Sequence, residues 1–248
     1  MSGHSRWSTI KRKKGAADQK RGREFSKMIR VITQAARAGG GDPDQNATLR
    51  SVVDKAKSIN MPTDTIARAI KRGTGEIEGA NYEEITYEGY GPSGIALLIA
   101  TLTDNRNRTT ADVRHALNKY GGALGEAGCV QWMFSKKGVI LVPSEGVDEE
   151  KIMEVGIEAG AEEVLEEGDF FKLLCSPSDL EPLKKALSGA GYTIDNAEVS
   201  MEAQTTIDVS DKAESVLRLI DALEDLDDVQ DVYSNFDIPD SVMEKLDA

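Results

Sequence analysis

Between Gly138 and Glu202 the chain reads GVILVPS, a helical stretch from about Glu149 to Ala159, AEEVLEE, DFFKLLCS, a helical stretch from Asp179 to Ala190, and YTIDNAEVSME. That order is β-α-β-β-α-β, the split arrangement of ferredoxin-like domains, and no other pattern in the chain restricts the fold as much. Upstream, ITYEGY near 85–90 and GIALLIATLT at 94–103 read as strands. They are followed by a helix with Val113, Ala116, Leu117 and Tyr120 on its inner face and by a strand CVQWMF at 129–134. Downstream, AQTTIDVS, a helix around Ala213 to Leu226, and VQDVYSNF supply β-α-β. Neither flanking piece makes a core alone, so the two are expected to join. The expectation is a discontinuous α/β domain over 77–134 plus 204–248, with a third domain, 135–203, inserted into it. The fold class is therefore α+β: an N-terminal helical domain with a basic arm, then two α/β domains of ferredoxin-like character, one inside the other.

The first domain, 1–76, has a different period. Met1 to about Gly22 shows neither helical spacing nor alternation and reads as an arm. From Phe25 the apolar residues Met28, Ile29, Ile32 and Ala36 follow at helical intervals, so a helix runs to about Ala38, where Gly39, Gly40 and Gly41 stop it. A second helix turns Leu49, Val52, Val53 and Ala56 inward. Met61-Pro62 ends it, and Thr63 is the expected N-cap of a short third helix carrying Ile66, Ala67 and Ile70.

Charge is divided along the chain. The formal net charge is −13, yet residues 1–72 hold 17 Lys or Arg against 6 Asp or Glu, leaving 13 basic and 37 acidic side chains in the other 176. A basic end on an acidic body points to a polyanionic partner held by that end alone, nucleic acid before any other; the bland alternative is that Lys and Arg only solvate helix faces. Lys11, Arg12, Lys13 and Lys14 are contiguous and suit phosphate contacts rather than base reading. Lys20 and Arg21 continue the run, and Arg23, Lys27, Arg30 and Arg37 form a stripe on the first helix with Gln34 in line. Trp7, flanked by His4 and Arg6, either stacks on an unpaired base or folds back as an anchor. Farther on, TDNRNRTTADVR lies where a strand ends and a helix begins. Asp104 or Asn105 caps that helix, and Arg106 and Arg108 offer a second contact for a phosphate or a partner.

Most chemistries find no support. GYGPSG at 89–94 matches G-x-G-x-x-G literally, but a strand follows where a helix N-terminus must receive the pyrophosphate, so a hairpin turn is the better account. There is no Walker-type loop and no Cys or His spacing of a metal site. The acidic run Asp221, Glu224, Asp225, Asp227, Asp228, Asp231 lacks the Gly and terminal Glu of a calcium loop and reads as a solvated helix end. Cys129 and Cys175 sit in apolar runs as buried, reduced thiols, and neither a membrane span nor an apolar leader is present, which suits the cytoplasm. No cofactor, metal or catalytic residue is expected.

GHSRW followed by IKRKKGAADQKRGREFSKMIR, then YEGYGPSGIALLIATLTDNRNRT and GGALGEAGCVQWMF, closely resembles the YebC/PmpR family over essentially the full length. The resemblance implies a helical domain and two α/β domains around an acidic cavity. It also implies membership of a group described as probable transcriptional regulators that bind DNA. A mitochondrial relative is a translational activator of cytochrome oxidase subunit I, and some bacterial members look like ribosome-associated factors that relieve stalling at proline runs. The binding positions it carries over are His4, Arg6, Trp7, Lys11, Lys13, Lys14, Lys20, Arg21 and Lys27, with Arg106 and Arg108 behind them.

Two readings of function emerge. One is a non-enzymatic regulator gripping promoter DNA, for which Gln34 between Arg30 and Arg37 is the candidate base reader. The other is a translation factor on ribosomal RNA, which an unstructured basic arm with an aromatic tip suits better than it suits a duplex. A third class, an interaction protein holding a basic partner in acidic clefts, with homodimerisation, stays open beside them.

Overall fold

The computed structural model describes residues 18–239 and 242, with side chains from Gly22 onward. By internal contacts the chain divides into two units, one spanning residues 18–129 and 214–232 and the other 130–213 and 233–239. The fold is α+β, a helical region followed by sheets built mainly of antiparallel strands.

The first unit opens with three helices, α1 (Asp18–Gly39), α2 (Ala47–Ser58) and α3 (Thr63–Thr74). α1 starts well before Phe25 and takes in residues assigned above to the arm. DQKRGRE, residues 18–24, contains no apolar side chain, so this extension of the helix leaves no mark on a hydrophobic period. Ile32, Ala36, Leu49 and Ala56 are sealed in the bundle core with Met28 and Ile66. Gly73 sets the α1–α3 distance: a Cβ there would lie 2.4 Å from the Thr33 carbonyl oxygen and 2.6 Å from Ala36 Cβ. Asn46 ties α1 to α2, its Nδ2 donating to the Ala35 and Gly40 carbonyls at 2.9 Å while its Oδ1 accepts from Leu49 N–H. The cap of α3 is Pro62, without a side-chain hydrogen bond, and Thr63 is the first helical residue rather than the cap.

A four-stranded sheet follows in the same unit. β1 (Glu83–Tyr90) and β2 (Ala96–Thr103) pair antiparallel from Glu83↔Thr103 to Tyr90↔Ala96. GYGPSG is the hairpin turn between them, closed by Gly91 N–H donating to Ile95 O at 2.9 Å. α4 (Arg106–Lys119) is capped by Asn105 and buries Val113 and Leu117. β3 (Ala123–Leu124) then pairs with β1, a two-residue strand too short for any periodicity to announce.

The second unit holds β4 (Phe134–Pro143), α5 (Glu149–Glu158), β5 (Ala161–Glu167), β6 (Phe170–Cys175), α6 (Leu180–Gly189) and β7 (Asn196–Ala203). The strand order β5-β6-β4-β7, antiparallel throughout, is the ferredoxin-like arrangement expected from sequence. Ile140, Val142, Ile152, Leu173, Leu183 and Leu187 fill the space between this sheet and its helices. Three expectations are corrected around it. CVQWMF is not a strand: Gln131–Met133 form a 3-10 turn with Trp132 69% exposed, and the strand begins at Phe134. FSKKGVILVP is one ten-residue strand rather than the shorter GVILVPS. AQTTIDVS keeps only β8 (Ile207–Asp208), which pairs in parallel with β10 (Phe236–Asp237) in a separate two-stranded ladder.

α7 (Ala213–Glu224) leads into β9 (Val229–Ser234), which completes the first sheet beside β2 in the order β3-β1-β2-β9. Among the described residues no helix is long and apolar enough to cross a membrane.

Candidate nucleic-acid interface

Arg23, Lys27 and Arg30 fall at intervals of four and three on α1, so they share one side of the helix. Facing them is the acidic end of α7 and the turn after it. Arg23 Nη1 is 2.6 Å from Asp225 Oδ1, Lys27 Nζ donates to the Glu224 carbonyl at 2.6 Å, and Arg30 Nη1 is 3.0 Å from Asp228 Oδ1 and donates to the Asp227 carbonyl. Arg30 also lies over the Tyr82 ring, 5.9 Å from its centroid. The run expected to be a solvated helix end is thus the counter-charge of the cationic stripe. Sequence patterning separated the two because the partners stand 197 residues apart.

Asp228 is the hub, its side chain only 6% exposed. Its Oδ2 accepts from Arg108 Nη2 at 2.7 Å, Arg108 Nε at 3.3 Å, Thr109 Oγ1 at 2.7 Å and Thr103 Oγ1 at 3.2 Å. Oδ1 is charge-paired with Arg30 but receives no aligned N–H, so that contact is an ion pair rather than a hydrogen bond. Burial alone would raise the Asp228 pKa. The hydrogen bonds from Arg108 and Thr109 and the charges of Arg30 and Arg108 outweigh it and hold the carboxyl below its ordinary value of 3.8. Arg108 is bound to Asp228 and, at 2.8 Å, to Asp104, and both contacts raise its pKa. A cleft of about 530 Å³ opens here, lined by Arg30, Asp104, Arg108, Asp112, Asp225 and Asp227 among others.

The remaining predicted residues are scattered. Arg37 is exposed and donates to Ala80 O at 3.3 Å, and Arg106 is exposed at the start of α4. Lys20 and Arg21 belong to the first turns of α1, while His4, Arg6, Trp7, Lys11, Arg12, Lys13 and Lys14 lie outside the described residues. Gln34 lines a cavity of about 360 Å³ with Val31, Ala35, Ile85 and Thr101, and its Oε1 is buried without a hydrogen-bond partner. Asp225, Asp227 and Asp228 are the residues missed as part of this site; the only signal for them in the sequence was a cluster of negative charge. Among the described residues no group of His, Cys, Asp and Glu could hold a metal ion. Cys175 is buried as expected, burial pushing its thiol pKa up, whereas Cys129 is only half-buried.

Residues 5–76 match the TACO1/YebC protein N-terminal domain, and residues 82–236 match the TACO1/YebC second and third domain. The chain is 56% identical over 247 residues to "Probable transcriptional regulatory protein HRM2_04000" of Desulforapulum autotrophicum, covering 99% of this chain and 100% of that one. It is 55% identical, with the same coverage, to "Probable transcriptional regulatory protein GSU1074" of Geobacter sulfurreducens. Among solved structures it is similar to the conserved hypothetical protein Aq1575 from Aquifex aeolicus, at 45% identity and a TM-score of 0.78, over 90% of this chain and 93% of that one. The domain matches, the identities and the shared fold agree: the chain belongs to the TACO1/YebC family, whose curated relatives are named as transcriptional regulators.

Proposed function

We propose that this chain is a non-enzymatic, nucleic-acid-binding regulator of gene expression that acts in the cytoplasm and docks through its amino-terminal basic segment. One observation carries the reading. Residues 1–22 hold seven Lys or Arg against one Asp, while Arg23, Lys27, Arg30 and Arg108 farther along have oxygen partners within the first unit. DNA is the first target, in line with the names of the relatives.

A second reading, ribosomal RNA bound by a translation factor, is supported by the basic segment itself, since Trp7 among cations suits irregular single-stranded surfaces. Crosslinking in cells, followed by sequencing of both DNA and RNA footprints, separates the two: promoter footprints support the first, ribosomal RNA footprints the second, and neither would sink both. In vitro, neutralising Lys11, Arg12, Lys13 and Lys14 to Ala should weaken binding and reduce the slope of log affinity against log salt by about 3 to 4. Trp7→Ala should weaken RNA binding without moving the thermal unfolding of the body; a large drop in Tm instead marks Trp7 as an anchor.

A further inference from the structure

We infer that the acidic turn at 224–228 is an internal polyanion occupying a phosphate-binding stripe on α1, so that a nucleic-acid backbone and this turn compete for the same cations. The inference rests on the nucleic-acid reading above and adds its regulation. Arg23, Lys27 and Arg30 together meet four oxygens from four of five consecutive residues: the Asp225 carboxylate, the Glu224 and Asp227 carbonyls and the Asp228 carboxylate. Anionic or carbonyl oxygens strung along a backbone and spaced to match a helical row of cations are what a phosphodiester chain also offers.

The contact is graded in a way a purely structural clamp would not need. At the outer end Arg23 and Asp225 remain 38% and 54% exposed; at the inner end Arg30 and Asp228 are 16% and 6% exposed. Exposed pairs contribute little to stability and exchange readily, whereas Asp228 is held by Arg108, Thr103 and Thr109 and by its own carbonyl, which accepts from Leu102 N–H at 2.8 Å. The turn can therefore peel from Arg23 and Lys27 while Asp228 stays fixed as its hinge.

The test uses the full chain, with a single-stranded RNA oligonucleotide and a duplex DNA of equal length as probes in fluorescence anisotropy at low salt. Asp225→Asn with Asp227→Asn removes two exposed charges and should tighten binding up to about fivefold, the size of one exposed ion pair. Glu149→Gln with Glu150→Gln, equally exposed and equal in charge change, should stay within about twofold of wild type, which separates competition from long-range repulsion. Arg23→Ala with Lys27→Ala should cost more affinity in the Asn background than in wild type. Wild-type binding with no tightening in the Asn variant, or equal tightening in the Gln variant, overturns the inference alone. No salt-dependent binding by any form overturns the nucleic-acid reading beneath it.

Discussion

Lys172 in the ferredoxin-like unit and Asp228 in the other are both sealed from water, with side chains 1% and 6% exposed, but their partners come from different distances. Lys172 sits on β6 and meets Glu202 of β7 at 2.6 Å and Glu167 of β5 at 3.9 Å, two partners from its own sheet. Asp228 draws on α1, β2 and α4, elements that fold against one another only after long loops close. In the first case a buried cation is ringed by carboxylates that are themselves 6% and 12% exposed; in the second a buried anion is held by Arg108, which remains 45% exposed. A charge whose partners are buried has nowhere to send them when it is lost. Asp228 lies between the two cases, since Arg108 reaches water and can be released while Thr103 and Thr109 are sealed and Arg30 is 16% exposed.

That contrast orders the expected damage. Lys172→Ala removes a buried cation from beside two carboxylates only 6% and 12% exposed and should cost about 3–5 kcal/mol in urea denaturation, more than any other change considered. A loss below about 1 kcal/mol would mean that the carboxylates find water or take up protons. Asp228→Ala lets Arg108 swing outward, so about 2–3 kcal/mol is expected. Should it equal the Lys172 loss, the difference between the two networks disappears. The pH dependence sharpens the point. Asp228 has a folded pKa below its unfolded value, so its contribution is complete above about pH 4 and is lost as pH falls through the depressed value. Asp228→Asn should therefore flatten the acid limb of a stability curve below about pH 4, and an unchanged limb would assign that limb to other carboxylates. The smallest effect belongs to Arg23 with Asp225: a double-mutant cycle on Tm should give a coupling of at most about 1 kcal/mol, because both groups keep their water.

Much of the fold could be read from the residues because its strands and helices bury one face each. The β-α-β-β-α-β order came directly from runs such as GVILVPS and DFFKLLCS. The elements that escaped lacked a buried face. The first turns of α1 are polar all round, β3 is two residues long, and CVQWMF looks like a strand although Trp132 points to solvent. The site was half legible for a related reason. Helical spacing showed that Arg23, Lys27 and Arg30 share a side, but no local pattern says which distant segment will cover it. The Glu224–Asp228 turn was visible only as a cluster of charge. Gln34 is similar: its position on the helix gives its direction, and the pocket it lines comes from tertiary packing.

The grip of Leu102 on the Asp228 carbonyl has one more effect, on chain length. That bond fixes the last residue before β9, whose Val229 and Val232 are 0% and 2% exposed. A residue added between Asp225 and Asp227 can loop outward and leave β9 in register. One added directly after Asp228 would shift the strand by a single step and turn the buried Val232 to the opposite face. Insertions and deletions are therefore tolerable on one side of this aspartate and ruinous on the other.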